Sequence, residues 1–203
     1  MMNAYPRWSI LAVPLLTALV SAACSDPVPP PAQGAVTLYL GQPVNNTGSG
    51  ACPAPGITYQ VAAVDSKTKA IAAPSASDPG ESLISGEQGS KISCSVKKSG
   101  GNFAFSGSIY GTTQQGQTIN ITMDSGTVDG TTLTGTTNVS VYTPELSASY
   151  TSNMPCTVTV INNQIKGGSM WATFACDQLS SPPSGLCGVS SASAIVFENC
   201  DGS

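Results

Sequence analysis

From Ala35 onward, apolar and polar residues alternate with period two along most of this 203-residue chain, and no long segment shows helical periodicity. The cleanest runs are Ile119, Ile121 and Met123 between Thr118, Asn120, Thr122 and Asp124, and Phe103, Phe105 and Ile109 between Ala104, Ser106 and Ser108. Such alternation turns one face of a strand to a core and the other to water. Further strands are predicted at 35–40, 57–64, 92–97, 133–142, 156–161, 169–176 and 194–198, segments rich in β-branched residues. Turn-forming residues separate them at Lys98 to Gly101, Asp124 to Gly126, Asp129-Gly130 and Lys166 to Gly168. Many short strands with frequent turns predict an all-β domain, mostly antiparallel, of β-sandwich or barrel-like form. Residues 65–90, with prolines and scattered charges, read as a long loop with a short helix near Glu81 to Ile84. No internal repeat is present.

The first 34 residues break this pattern. An apolar run over residues 10–20 follows Arg7 and is interrupted by Pro14 and Thr17. It is shorter than the roughly 20 residues that cross a bilayer and has the length of a signal-peptide helix. It ends on Leu19-Val20-Ser21-Ala22-Ala23-Cys24. This resembles the lipobox of bacterial lipoproteins, in which the signal is cut before a cysteine that carries a diacylglyceryl thioether. Ser21 stands where that motif usually has Leu, Val or Ile, and the other reading is an ordinary secretory signal that leaves Cys24 as one more thiol. The resemblance implies a signal peptide over 1–23, lipidation of Cys24, and membrane attachment. Prolines 27, 29, 30 and 31 then make 24–34 an extended tether. Its nine residues from Ser25 to Gln33 reach about 28 Å at roughly 3 Å per residue. Residues 35–203 form a single β-domain. Ser25 is not the Asp that signals inner-membrane retention in enteric lipoproteins, which favours the outer membrane of the cell envelope.

Composition narrows the chemistry. Charged residues are 9% and aromatic residues 6%, with 11 acids against 7 bases, so nucleic acid is excluded as a partner for want of a basic face. There is no histidine, which removes Ser-His-Asp and Cys-His nucleophiles and His-ligated metals. Of the 7 cysteines, setting Cys24 aside leaves Cys52, Cys94, Cys156, Cys176, Cys187 and Cys200, an even set suited to disulfides in an oxidising compartment. With no Cys-x-x-Cys pair, neither metal binding nor redox catalysis is expected. If Lys166 to Gly168 turns a hairpin, Cys156 and Cys176 are neighbours, leaving Cys187–Cys200 and Cys52–Cys94. The other arrangement joins Cys176 to Cys187 and Cys156 to Cys200.

Few residues then remain as candidates for chemistry. Residues 121–127, Ile-Thr-Met-Asp-Ser-Gly-Thr, resemble the aspartic-protease segment in which one of two paired carboxylates precedes a tight loop. A single copy makes a turn the competing reading of Asp124. Ser95 and Lys98 fit the Ser-x-x-Lys of penicillin-recognising enzymes, and Asp124 with Asp129 could contribute to a calcium site, but a strand serine and solvated turn acids are the structural alternatives. Trp171, Tyr110 and Tyr142 lie on the polar sides of their strands and are candidates to face a ligand. Sequons at Asn45, Asn120 and Asn138 reflect Asn and Thr abundance. Together these features resemble disulfide-containing, β-rich lipoproteins of Gram-negative soil bacteria such as the myxobacteria. They lead to the expectation of a non-enzymatic, membrane-anchored envelope lipoprotein without cofactor or metal, binding a glycan or a protein or serving in a surface layer. The alternative is a carboxylate-dependent hydrolase using Asp124. Intact-mass spectrometry of the protein from its native membrane is expected to show a lipid-modified N-terminus, with six hydrogens gained on reduction, one for each of the six paired cysteines. An unmodified cysteine at the mature N-terminus would contradict it.

Overall fold

The computed structural model describes residues 28–44, 51–181 and 185–201, so the signal segment, Cys24 and the first part of the tether lie outside the described residues. The alternating runs become eleven strands. These are β1 (Gln33–Gly41), β2 (Thr58–Val61), β3 (Leu83–Ile84), β4 (Lys91–Ser99), β5 (Asn102–Thr112), β6 (Thr118–Asp129), β7 (Thr134–Tyr142), β8 (Tyr150–Ser152), β9 (Cys156–Lys166), β10 (Ser169–Ser180) and β11 (Leu186–Glu198). β1 takes up Gln33 and Gly34, which the proline pattern assigns to the tether. The 65–90 region is mostly irregular, as expected. Where a short helix is expected, the chain instead forms β3 and pairs with the start of β1, because Leu83 is drawn into the core at 1% exposure. A 3-10 turn at Glu87–Gly89 follows it.

The domain is all-β and its strand pairs are antiparallel. The sheet path runs β2-β1-β11-β10, then through β8 and β9 to β7, β6, β5 and β4. β8 and β9 occupy one strand position in succession, both antiparallel between β7 and β10. They are separated at residues 153–155, where Pro155 has no N–H to give the ladder. The path then closes on itself. Beyond β11, residues 199–201 run beside β4, with Val96 N–H donating to Asp201 O at 3.1 Å and Asp201 N–H to Cys94 O at 3.0 Å. Gly168, in the β9–β10 hairpin, donates to Val96 O at 2.9 Å. β4 through β11 thus form a small barrel, and β1, β2 and β3 continue the sheet outside it.

The inward positions fill the barrel. Ile109, Ile119, Ile121, Met123, Val139, Val141, Val158, Phe174, Ile195 and Phe197 are all within 1% of full burial. Opposite walls approach so closely at Gly107 that a Cβ there would meet the Phe197 ring at 2.6 Å. The turn expected at Asp124 to Gly126 is a β-bulge inside β6. β6 stays paired to β5 and β7 on both sides of it, with one extra residue between Met123 and Gly126, so the chain cannot reverse there. Ser125 takes the left-handed conformation at φ 53, Thr137 donates its hydroxyl to the Asp124 carbonyl at 3.1 Å, and the Phe105 ring fills the space above Gly126. The other three turn signals do reverse the chain. A second buried layer lies outside β1, β10 and β11, where Ala35, Thr37, Trp171, Ala194 and Val196 are covered. The Trp171 indole N–H donates to Ser75 O at 3.0 Å, tying the 65–80 segment over them.

Three disulfides staple this arrangement: Cys52–Cys187, Cys94–Cys200 and Cys156–Cys176. Cys156–Cys176 is the hairpin bridge expected from the sequence. Cys187–Cys200 is overturned because the two residues flank the length of β11, about 40 Å of extended chain. Cys52–Cys94 fails with it, since Cys94 is held by Cys200 where β4 meets the end of β11. Chain-entropy arguments give about 4–5 kcal/mol for a loop of about 100 residues and about 3 kcal/mol for a short one, and the separations here are 106 and 20. Replacing Cys94 and Cys200 together by alanine is therefore expected to lower the urea midpoint more than replacing Cys156 and Cys176. The reverse order would show that barrel closure does not depend on the longer bridge.

Candidate functional site

The polar residues of β4 to β8 are gathered by register into rows on the outer face of the barrel. One row reads Lys91, Tyr110, Asn120, Tyr142 across four strands. The next reads Ser93, Ser108, Thr122, Ser140, Thr151 across five. A third starts Ser95, Ser106 and reaches Asp124 and Asn138 at the bulge. Neighbouring hydroxyls bond to each other, Ser93 with Ser108 at 2.9 Å and Thr151 to Ser140 at 3.5 Å. Part of this face forms a shallow groove of about 500 Å³ lined by Ser93, Ser95, Ser106, Ser108, Thr122 and Asp124, with Asp201 at its β4 side. Pro30 and Ala32 border the same groove, so the tether leaves the domain beside it. A second groove continues past Ser95, Ser106 and Asp124 toward Lys97 and Thr127.

The residues singled out from the sequence fare differently. Tyr110 and Tyr142 are exposed, at 41% and 40%, on the same face and in the same row. The Lys91 ammonium lies 5.8 Å from the Tyr110 ring centroid, within reach of a cation–π contact. Trp171 also points away from the barrel core, but the 65–80 segment covers it to 6% exposure and its N–H is taken. Asp124 is exposed at the bulge and lines the groove. The structure adds Asp201 as a second carboxylate bordering that groove. Asp129 caps the β6–β7 turn, accepting N–H groups of Thr131 and Thr132 at 2.7 and 2.8 Å. Hydrogen bonds from Thr132 and then Thr131 hold its carboxyl below the usual range. It is thus engaged locally rather than directed toward Asp124. Among the described residues no group of three or more His, Cys, Asp or Glu is placed to hold a metal. Ser95 and Lys98 sit at odd spacing on β4, where side chains leave opposite faces, so the Ser-x-x-Lys pattern does not become a site. Cys24 lies outside the described residues. Compared with known proteins, the chain matches no protein family, no curated protein and no solved structure.

One polar cluster was not visible in the sequence because its members come from two loops and a strand. The Tyr59 hydroxyl is buried and donates to the Glu145 carboxylate at 2.7 Å, while Thr143 donates to Tyr59 at 3.2 Å. Gln117 also donates to Glu145. Burial pushes the Tyr59 phenol up to about 12, with Glu145 adding to the shift. Burial would raise Glu145 too, but hydrogen bonds, first that from Tyr59, outweigh it and hold the carboxyl below its ordinary value. The cluster ties β2 to the β5–β6 and β7–β8 loops. Tyr59 therefore contributes stability that is fully present below its unfolded value of 10 and is lost as pH rises through about 12. Glu145 contributes stability present above 4.5 and lost as pH falls through its lowered folded value. Tyr59→Phe is expected to lower stability by about 1–3 kcal/mol at neutral pH, by leaving buried partners unmatched. In urea melts it should also reduce the fall in stability between pH 10 and 12, leaving the part that the buried Tyr150 contributes; an unchanged alkaline limb would contradict the assignment.

Proposed function

We propose that this chain is an envelope lipoprotein, anchored through Cys24 and favouring the outer membrane, whose β-domain binds glycans without catalysis on the outer face of β4 to β8. The observation that carries the reading is the set of aligned hydroxyl and amide rows on that face, with two half-exposed tyrosines among them. A sugar presents hydroxyls at its rim and C–H groups on its faces. Rows of Ser and Thr hydroxyls meet the first, and Tyr110 and Tyr142 meet the second. A protein partner is served less well, because stable interfaces centre on desolvated apolar or aromatic anchors, and this face is hydroxyl-lined. The chain's balance of 11 acids to 7 bases argues against nucleic acid. The lipobox-like ending at Cys24 and the proline tether support the anchor. No helix among the described residues is long and apolar enough to cross a membrane.

A second reading is favoured by one observation, the presence of Asp124 and Asp201 on the same groove. Two carboxylates flanking a sugar are the working parts of most glycoside hydrolases, and this would be the carboxylate-dependent hydrolase anticipated from Asp124. Sustained release of reducing ends from oligosaccharides, abolished by Asp124→Asn, is what that reading needs. The binding reading expects the detergent-solubilised protein to be retained by one or more immobilised polysaccharides without cleaving them. Retention should persist at high salt, since the contacts are between uncharged groups. Ser108→Arg, at the centre of the groove, is expected to weaken retention at least roughly tenfold, about 1.4 kcal/mol, with the disulfides intact. Retention unchanged by that substitution would move the site elsewhere.

A further inference from the structure

The spacing of the two tyrosines carries more than a general affinity for sugars. Tyr110 and Tyr142 flank Asn120 in one row, so they stand two strand spacings apart, about 9–10 Å. We propose that this row binds an extended β-1,4-linked pyranose chain laid across the strands, with one ring stacked on Tyr110, the next over Asn120 and the third on Tyr142. The proposal rests on the glycan-binding reading above. In an extended β-1,4-linked chain successive rings are flipped, so alternate rings present the same face one disaccharide apart. That repeat is close to two strand spacings. An α-1,4-linked chain curls, and its alternate rings do not return to one line.

The surroundings suit the same ligand. The row Ser93, Ser108, Thr122, Ser140 runs parallel to the tyrosine row, two residues further along each strand, about 7 Å away. It lies where the hydroxyls along one edge of the chain would reach. These two rows contain a single charged residue, Lys91, and no carboxylate. An uncharged chain is therefore matched, while a polyanion would find only one cation in a protein with net charge −4. The Lys91 ammonium lies 5.8 Å from the Tyr110 ring centroid at the β4 end of the row.

The test is calorimetric titration of the full-length, detergent-solubilised protein with three hexasaccharides, cellohexaose, its N-acetylglucosamine counterpart and α-1,4-linked maltohexaose, and with the di- and trisaccharides of the two β-linked series. The first two separate a plain glucan from an acetamido-bearing strand. The expected result is tighter binding of at least one β-linked hexamer than of maltohexaose, with a step in affinity between the disaccharide and the trisaccharide of that series, because only three rings span both tyrosines. Tyr110→Ala and Tyr142→Ala should each weaken binding about tenfold, and the phenylalanine variants should restore most of it, since stacking needs the ring and not the hydroxyl. Equal or tighter binding of maltohexaose, lost on Tyr→Ala substitution, would overturn the extended β-linked ligand and leave the glycan-binding reading standing. β-linked binding untouched by either alanine variant would overturn the tyrosine row as the site. No binding of any saccharide, here and across the polysaccharide panel, would overturn both.

Discussion

The barrel depends on how β4 is closed. An antiparallel meander ends in a strand whose outer N–H and C=O groups have no partner, and such an edge invites pairing with other chains. Here the residues just beyond β11 run beside β4 and exchange backbone hydrogen bonds with it, the β9–β10 hairpin adds another at Gly168, and Cys94–Cys200 makes the junction covalent. The closing contact joins segments 106 residues apart. Pairing of that kind is entropically expensive to form, and the bridge reduces the cost by restricting the unfolded chain. The approach of Phe197 to Gly107 depends on the same closure, as does the inward direction of every strand between them. With the ring shut, the polar sides of β4 to β8 have nowhere to face but outward.

The outer face also explains the composition. Charged residues are only 9% of the chain, so alternate positions on the solvent side are filled by Ser, Thr and Asn, which suit strands or hydrogen-bond across them. Pairs such as Ser93 with Ser108 bond to each other and leave further hydroxyl capacity for solvent or a ligand. A surface solvated in this way is uncharged and directional at once. The proposed binding of an uncharged polyol there would depend little on salt, whereas a surface of lysines and glutamates would be screened and would offer no row of matched donors and acceptors.

Much of the strand content was legible because period two is a local signal, and Cys156–Cys176 was legible because a hairpin turn with glycines joins the two strands. What was missed depends on register or on distant segments. β11 extends back to Leu186, well beyond the recognisable apolar run at 194–198, and that extra length separates Cys187 from Cys200. Asp124, Ser125 and Gly126 have turn composition, but a G1-like bulge needs similar conformations, and only pairing on both sides of β6 distinguishes the two. Trp171 follows the outward parity of its strand, yet is covered by a loop without periodicity. The alignment of Tyr110 with Tyr142 needs the register of three strands at once. Each tyrosine could be placed on a polar face from its own neighbours, but nothing local says they share a row.

The same geometry bears on how the proposed binding reading and its hydrolytic alternative differ at Asp124. Asp124 sits at a bulge whose carbonyl is fixed by Thr137 and whose inner side is packed by Phe105 over Gly126. The backbone there is held firmly, while the carboxyl group projects to solvent. General acid catalysis on a glycosidic oxygen requires a carboxyl kept protonated near neutrality, which is achieved by burial against apolar groups or by a close second carboxylate. Asp124 is exposed, and around it the groove presents the hydroxyls of Ser106, Ser108 and Thr122. A carboxylate oxygen is a hydrogen-bond acceptor for sugar O–H groups. In the proposed binding reading Asp124 would accept from the sugar alongside the hydroxyl rows beside it.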